Sequence, residues 1–177
     1  MNHFAVLSDE KVIDNPKYYR KMEKKLAKAQ RRLSRKRKGS HNRGKAKVKV
    51  AKIHAKIANQ RKDFLHQASV RVVRSYDLIV MEDLKVHNMV RNPRLAKSIH
   101  DAGWGQFRNY IRYKCERQGK QFILVDPKGT SQSCLCGESV PKDLSVRVHE
   151  CPSCGLVMDR DLVSSKLILA RGLSKIA

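Results

Sequence analysis

Acidic residues are scarce in this sequence beside its basic ones. Among its 177 residues, 16 Asp and Glu stand against 39 Lys and Arg, a net charge of +23. A field of that size opposes self-association and attracts phosphate polymers, so nucleic acid is the leading partner. Also missing is any run of the roughly 20 apolar residues needed to cross a bilayer, which excludes a membrane-spanning helix and leaves an anionic membrane surface as the weaker rival. The start, Met1-Asn2-His3-Phe4, lacks the basic-then-apolar design of a secretory leader. No internal repeat is present. The chain therefore reads as one intracellular, cytoplasmic domain, or as a small domain with an appendage.

Acids are scarcest between Lys17 and Lys62, where 20 Lys or Arg meet only Glu23, so 19 of the 23 net charges fall there. Within that segment Met22, Leu26, Ala29 and Leu33 recur at steps of four, three and four, and Ala46, Val50, Ile53 and Ile57 repeat those steps. Both stretches predict amphipathic helices, with a turn across Gly39-Ser40-His41-Asn42-Arg43-Gly44. The second stripe continues through Phe64, Ala68 and Val72, so a long antiparallel helical hairpin is expected over about 17–75. Its second helix, Lys45 to about Ser75, would be roughly 45 Å long at 1.5 Å per residue. Such a helix can lay a row of cations beside duplex. The candidates are Lys24, Lys28, Arg31, Arg32, Arg35, Lys36, Arg43, Lys45, Lys49, Lys52 and Lys56. A coiled coil charged only for solubility is the alternative, but solvated helices usually mix both signs.

Around the hairpin, Phe4-Ala5-Val6-Leu7 and Lys11-Val12-Ile13 predict a β-hairpin across Ser8-Asp9-Glu10. Asp77-Leu78-Ile79-Val80-Met81 and Gln121-Phe122-Ile123-Leu124-Val125 are apolar enough for buried strands. Helices are expected from Trp104 to Gln118, ending at Gly119, and from Asp161 to Ala170. The order β-β-α-α-β-α-β, a cysteine insert and a last α describes a mixed α/β sheet with helices on its faces.

Four of the five cysteines form two close pairs, Cys134-Leu135-Cys136-Gly137 and Cys151-Pro152-Ser153-Cys154-Gly155. Two such turns present four thiolates to one Zn²⁺, and the following glycines let backbone amides turn toward the sulfurs. In an intracellular protein that reading outranks disulfides. The first pair has one intervening residue where structural sites usually have two to four, so its knuckle should be distorted or zinc binding weakened. Cys115 is expected to be a small buried apolar residue. His149 is a possible substitute ligand, with a surface position on the ribbon strand the leading expectation.

Glu82 directly follows Leu78-Ile79-Val80-Met81 and so sits at a strand end, where open α/β sheets place their sites. Asp161 follows the cysteine module and begins a helix. Each alone has a plainer reading: Glu82 or Asp83 as a solvent-facing strand end, Asp159 or Asp161 as an N-cap. Beside four cysteines and a basic hairpin they suggest carboxylates of a two-metal nuclease, which holds Mg²⁺ ions about 4 Å apart across a phosphate. Such a site needs a bridging acid in addition, because hard cations require oxygen ligands to replace their water.

Val80-Met81-Glu82-Asp83-Leu84, Gly103-Trp104-Gly105-Gln106-Phe107, Val125-Asp126-Pro127, Thr130-Ser131-Gln132, the cysteine pairs and Asp159-Arg160-Asp161 occur in an order that resembles the TnpB (OrfB) proteins of insertion sequences, relatives of type V CRISPR effectors. The resemblance spans essentially the whole chain and the C-terminal half of such a protein. It implies an RNase H-like (RuvC) domain over 1–125 and 156–177 with a zinc-ribbon insert at 126–155. It also implies guide RNA and DNA as partners, RNA-guided DNA cleavage, and a prokaryotic, nucleoid-associated setting. Glu82 then matches the second catalytic acid and Asp161 the third, both Mg²⁺ ligands, while Cys134, Cys136, Cys151 and Cys154 match the zinc ligands.

Three departures stand out. Family members read approximately G-I-D-x-G just before the stretch corresponding to His3-Phe4-Ala5-Val6, whereas this sequence begins at Met1. The first cysteine pair is one residue short. Val163 stands where the family usually has Asn, and Ser164-Ser165 replace small alanines. The expectation is a nucleic-acid-binding remnant with its first catalytic Asp missing and cleavage impaired. An active Mg²⁺-dependent nuclease working with a separately encoded N-terminal part, or a non-catalytic RNA- or DNA-binding regulator, are the alternatives.

Overall fold

The computed structural model describes residues 3–143 and 145–176, so the Met1-Asn2 portion of the start read above lies outside the described residues. The elements run β1 (His3–Val6), β2 (Val12–Asp14), α1 (Tyr18–Ser34), α2 (His41–Ser75), β3 (Leu78–Glu82), α3 (Val86–Met89), α4 (Pro93–Ala102), α5 (Trp104–Gln118), β4 (Gln121–Val125), β5 (Val148–Glu150), β6 (Val157–Asp159) and α6 (Arg160–Leu173). The architecture is mixed α/β, as expected, but the strands of the described residues form three two-stranded sheets instead of one. β1 and β2 are antiparallel, β5 and β6 are antiparallel, and β3 and β4 are parallel in the register Val80 to Ile123. A parallel pair requires a crossover, and α5 supplies it. β1 joins the body through its Phe4 side chain, not through a ladder to β3. That ring is buried edge-on against Phe64 at 5.1 Å and Phe107 at 4.9 Å, and its carbonyl accepts the Trp104 indole N–H at 3.1 Å.

The hairpin forms as its apolar steps foretell. Leu26 and Ile57 are buried, and Met22, Ala29, Leu33, Ala46, Val50 and Ile53 are half-buried along the seam. At about 52 Å for 35 residues, α2 is longer than expected because it starts at His41, four residues before Lys45. The Ser40 hydroxyl caps it by accepting the Arg43 amide at 3.2 Å, so Gly44 lies inside the helix and not in the turn.

Two short helices, α3 and α4, went unread in the sequence, although Pro93 opens α4 as proline commonly does at a first helical position. α4 anchors the hairpin's root. Asp101, its carboxylate buried, accepts the Tyr19 amide at 3.0 and 3.1 Å and lies 3.3 Å from the Arg61 guanidinium, while the Arg61 Nε–H donates to the Asp101 carbonyl at 3.0 Å. One carboxylate thus ties the first turn of α1 to the middle of α2. Glu23, the single acid of the basic segment, docks α1 onto α4 through Lys97 at 2.6 Å.

The core gathers Leu65, Ala68 and Val73 of α2, Phe107, Ile111 and Cys115 of α5, Ala102 of α4, Phe4 and Ile79. Cys115 is fully buried there, the small apolar residue anticipated. Between α4 and α5 the chain turns at Gly103 with φ +70°, and a Cβ there would meet Arg61 and Leu65 side chains at 3.2 Å. α6 lies over β3 and β4, its Gly172 against the Val80 side chain with no room for a Cβ. Lys175 reaches the Leu124 carbonyl within β4, whereas Arg171 reaches the carbonyls of Asp126 and Lys128 just beyond it. Traced back toward its N-terminus, α6 therefore advances toward the carboxyl ends of the two strands.

Candidate metal centre, carboxylates and nucleic-acid interface

The four cysteines converge. Cys134 Sγ lies 3.6 Å from Cys154 Sγ, Cys136 Sγ lies 3.7 Å from Cys151 Sγ, and all four sulfurs fall within 4.8 Å of one another. A tetrahedron with Zn–S bonds of about 2.3 Å has edges of roughly 3.8 Å, and a disulfide needs about 2.05 Å, so the spacing fits one tetrahedral metal and no S–S bond. The second knuckle closes by Gly155 N–H donating to the Cys151 carbonyl at 3.0 Å and Cys151 N–H to Leu156 at 2.9 Å. The first repeats the pattern one residue shorter, Gly137 N–H to Cys134 at 3.1 Å and Cys134 N–H to Glu138 at 2.8 Å. Gly137 and Gly155 carry the positive φ, +93° and +71°, that both turns need. The missing residue tightens the turn without displacing the sulfurs.

The electrostatics of the thiols also call for a cation. Backbone amides of Cys154 and Ser153 pull the Cys151 thiol down to about 7. For Cys154 the Leu156 amide acts the same way, yet its thiol neighbours Cys151, Cys134 and Cys136 push it up to about 12. Four sulfurs this close do not all ionise unless a metal compensates them.

His149 corrects the expectation of a surface position. It is fully buried as the inward residue of three-residue β5, and it stands outside the converging ligand group. Its Nδ1 accepts from Lys142 Nζ at 2.8 Å. That ammonium, whose pKa is lowered by burial and by Arg160, lies near enough to Cys134 and Cys151 for their charge to act on it.

Glu82 ends β3, and its Oε1 is 2.5 Å from the buried Thr130 hydroxyl. Asp161 opens α6 and lies 3.6 Å from Arg160 and 3.9 Å from Arg147. The N-cap is Asp159, whose Oδ1 accepts the amides of Asp161 and Leu162 at 2.8 and 3.1 Å, so Asp161 keeps its carboxylate for other partners. The direction of α6 sets its N-terminal end, with Asp161, toward the carboxyl ends of the strands. Among the described residues the cysteine cluster is the one group of three or more His, Cys, Asp or Glu that converges, and neither Glu82 nor Asp161 belongs to such a group.

On the hairpin, Lys24, Lys28, Arg31, Arg32, Arg35, Lys36, Lys45, Lys49, Lys52 and Lys56 are all exposed. Arg43 is not equivalent to them. It is half-buried, and its Nη1 donates to the carbonyls of Leu33 at 3.2 Å and Lys36 at 3.0 Å, clipping α2 to the end of α1. Two positioning residues escaped the sequence reading. Thr130 holds Glu82, and the Gln132 side chain bonds both the amide and the carbonyl of Lys142, at 2.6 and 2.8 Å, staking the loop that carries the first cysteine pair. The run Thr130-Ser131-Gln132 was conspicuous, but its partners lie 48 and 10 residues away.

The OrfB_IS605 family model, described as "Probable transposase", matches residues 1–93, and the "Cas12f1-like, TNB domain" model matches residues 104–168. A "Putative RNA-guided DNA endonuclease" of Streptomyces pristinaespiralis is 44% identical over 96% of this chain and 43% of its own length. A "Putative RNA-guided DNA endonuclease InsQ" of Escherichia coli K12 is 38% identical over 95% of this chain and 46% of its own. The chain thus spans about half the length of these curated relatives. Among solved structures, the Cas12f1-sgRNA-target DNA complex shares the fold with TM-score 0.60 at 18% identity, over 89% of this chain and 43% of that one.

Proposed function

Because the chain belongs to the OrfB (IS605) transposase family, we propose that it supplies the nucleic-acid-binding and metal-stabilised portion of an RNA-guided DNA endonuclease, with guide RNA and DNA as partners. The observation that carries this reading is the placement of charge: 19 of 23 net positive charges lie between Lys17 and Lys62, on and between two packed helices, and most of those cations face solvent. The β3–β4 pair with α6 across it supports an RuvC-like, RNase H-like body over 1–125 and 156–177. Residues 126–155 are read as a zinc-ribbon insert, although the β5–β6 ladder runs on to Asp159. Zn²⁺ on Cys134, Cys136, Cys151 and Cys154 would hold the ribbon, and Mg²⁺ on Glu82 and Asp161 would serve phosphodiester cleavage. Two carboxylates fall short of a bridged two-metal site. With Glu82 and Asp161 as its assigned carboxylates, this chain by itself is read as binding nucleic acid without cutting it.

Purified protein should bind duplex DNA and RNA with an affinity that falls by orders of magnitude between about 50 and 200 mM salt. In Mg²⁺ or Mn²⁺ it should leave DNA intact. Cutting that disappears in Glu82→Gln would replace the binding-only reading with an active nuclease, and salt-insensitive binding would remove the hairpin from the interface. Metal analysis should find about one zinc per chain, lost on replacing Cys151 and Cys154 by serine and kept on replacing Cys115. An equally stable metal-free protein would refute the zinc assignment.

A further inference from the structure

The cations of the hairpin are not spread evenly around it. The buried seam is built from Met22, Leu26, Ala29 and Leu33 on α1 and Ala46, Val50, Ile53 and Ile57 on α2. The residue immediately before each of these eight is Lys21, Lys25, Lys28, Arg32, Lys45, Lys49, Lys52 or Lys56, a cation every time, and all eight are exposed. The residue immediately after each is Glu23, Ala27, Gln30, Ser34, Lys47, Ala51, His54 or Ala58, which carry one Lys and one Glu between them.

These two sets lie on opposite faces. Each residue advances an α-helix by about 100°, so the preceding positions flank the seam on one side and the following positions on the other. The helices are antiparallel, since Arg43 bonds Leu33 at one end and Asp101 joins Arg61 to Tyr19 at the other. Reversing a helix reverses both its sense of rotation and the direction its seam faces, so the preceding rows of α1 and α2 rise side by side. The eight preceding positions carry eight cations, and the eight following positions sum to no net charge. Glu23, one of the following set, is the residue that bonds Lys97 of α4.

Resting on the nucleic-acid reading above, we infer that a nucleic-acid phosphate backbone lies along this one face, between the row Lys21, Lys25, Lys28, Arg32 and the row Lys45, Lys49, Lys52, Lys56. Each row covers about 16 Å, and packed helices lie 8–10 Å apart, so the two rows form a shallow trough instead of a single ridge. A bilayer is the poorer fit: interfacial helices keep an apolar face free to enter the lipid, and here the apolar stripes are consumed by the seam. Lys24 and Arg31 point away from the seam on the outer side of α1 and contribute only to the long-range field.

Two variants with the same loss of charge test this. In the first, Lys21, Lys28, Lys49 and Lys56 become glutamine; in the second, Lys24, Arg31, Lys47 and Lys62 do. Glutamine is a good helix former, so both should keep their helices by circular dichroism. Binding is read by fluorescence anisotropy with a random-sequence duplex DNA and a single-stranded RNA across a salt series. The first variant should lower the slope of log affinity against log salt by about 3 to 4 and weaken binding at least about 100-fold, whereas the second should change the slope by less than about 1. Arginine at the first four positions should restore binding. Equal losses in both variants would refute the one-sided face while leaving the nucleic-acid reading in place, and no loss in either would refute both. Loss of binding to phosphatidylserine vesicles with unchanged binding to nucleic acid would overturn the assignment of the partner.

Discussion

Replacing Asp101 by alanine should loosen the root of the hairpin more than any single charge change along it. The Asp101 side chain is 4% exposed and Arg61, its ion-pair partner at 3.3 Å, is 24% exposed. Removing one member of a buried pair typically destabilises by about 3–5 kcal/mol, because the other charge is left uncompensated. Arg61 keeps its Nε–H bond to the residue 101 carbonyl and has some solvent access, so the lower end applies, about 3 kcal/mol. The Tyr19 amide, one of the first-turn donors that a helix cannot satisfy internally, loses its acceptor and adds roughly 1 kcal/mol at most. For a chain of this size the sum corresponds to a Tm lower by about 8–15 °C. Asp101→Asn keeps an acceptor for Tyr19 and forfeits only the charge, so its loss should be about half as large. Urea unfolding followed by circular dichroism on both variants, on Arg61→Leu and on Arg61→Leu/Asp101→Ala measures the coupling directly. Should alanine and asparagine behave alike, or the alanine variant unfold within about 0.5 kcal/mol of the parent, the clamp described here is wrong.

Two further perturbations bear on the packing. Gly172→Ala would place a methyl within 3.0 Å of Val80 Cβ and closer still to both Val80 methyls, an overpacking expected to lower stability by about 1–3 kcal/mol. Adding Val80→Ala should recover part of it in urea titrations, and a neutral Gly172→Ala would mean that α6 does not rest on β3 as described. His66 stacks on Tyr110 at 3.9 Å with Lys114 Nζ 3.4 Å from its Nδ1. Burial first, then the charges of Lys114 and Lys62, hold its pKa below the ordinary 6.5, against the opposing pull of Asp63. Native His66 is therefore neutral while the unfolded chain takes up its proton first, so its contribution is complete above pH about 6.5 and is lost as pH falls from there toward the lower folded-state value. Urea midpoints from pH 7.5 to 5.5 should fall less in His66→Gln than in the parent; parallel slopes would exclude this residue as the cause.

What could be read from the sequence was what is encoded locally. The hairpin seam repeats every three or four residues, so Met22 through Ile57 announce it without any knowledge of the body they attach to. The thiol cluster is likewise local, two knuckles each closed by its own glycine, and the motif order pointed to the family that comparison identifies. The rest depended on distant partners. α4 is only ten residues long, and its purpose rests on Asp101, whose partners lie 82 and 40 residues back. His149, between Val148 and Glu150 of an otherwise exposed strand, is buried because β5 turns its middle residue inward, which three residues cannot signal. Arg43 looked like one more phosphate contact because carbonyls at the end of another helix leave no trace in composition. The single expected sheet divides because β1 is held by an aromatic ring instead of a ladder.

Asp159 is at once the last residue of β6 and the cap of α6, so no linker separates the cysteine module from the final helix. The next residue tightens the join: the Arg160 amide donates to the Arg147 carbonyl at 2.8 Å, and its guanidinium donates to the Asp143 carbonyl at 3.0 Å. The cysteine module and α6 consequently share their mechanical degrees of freedom. A hinge at this joint would let the cysteine module swing while Asp161 stayed fixed; the unbroken join from strand to helix instead ties the tilt of the module to that of the helix bearing Asp161, and so one carboxylate to four sulfurs.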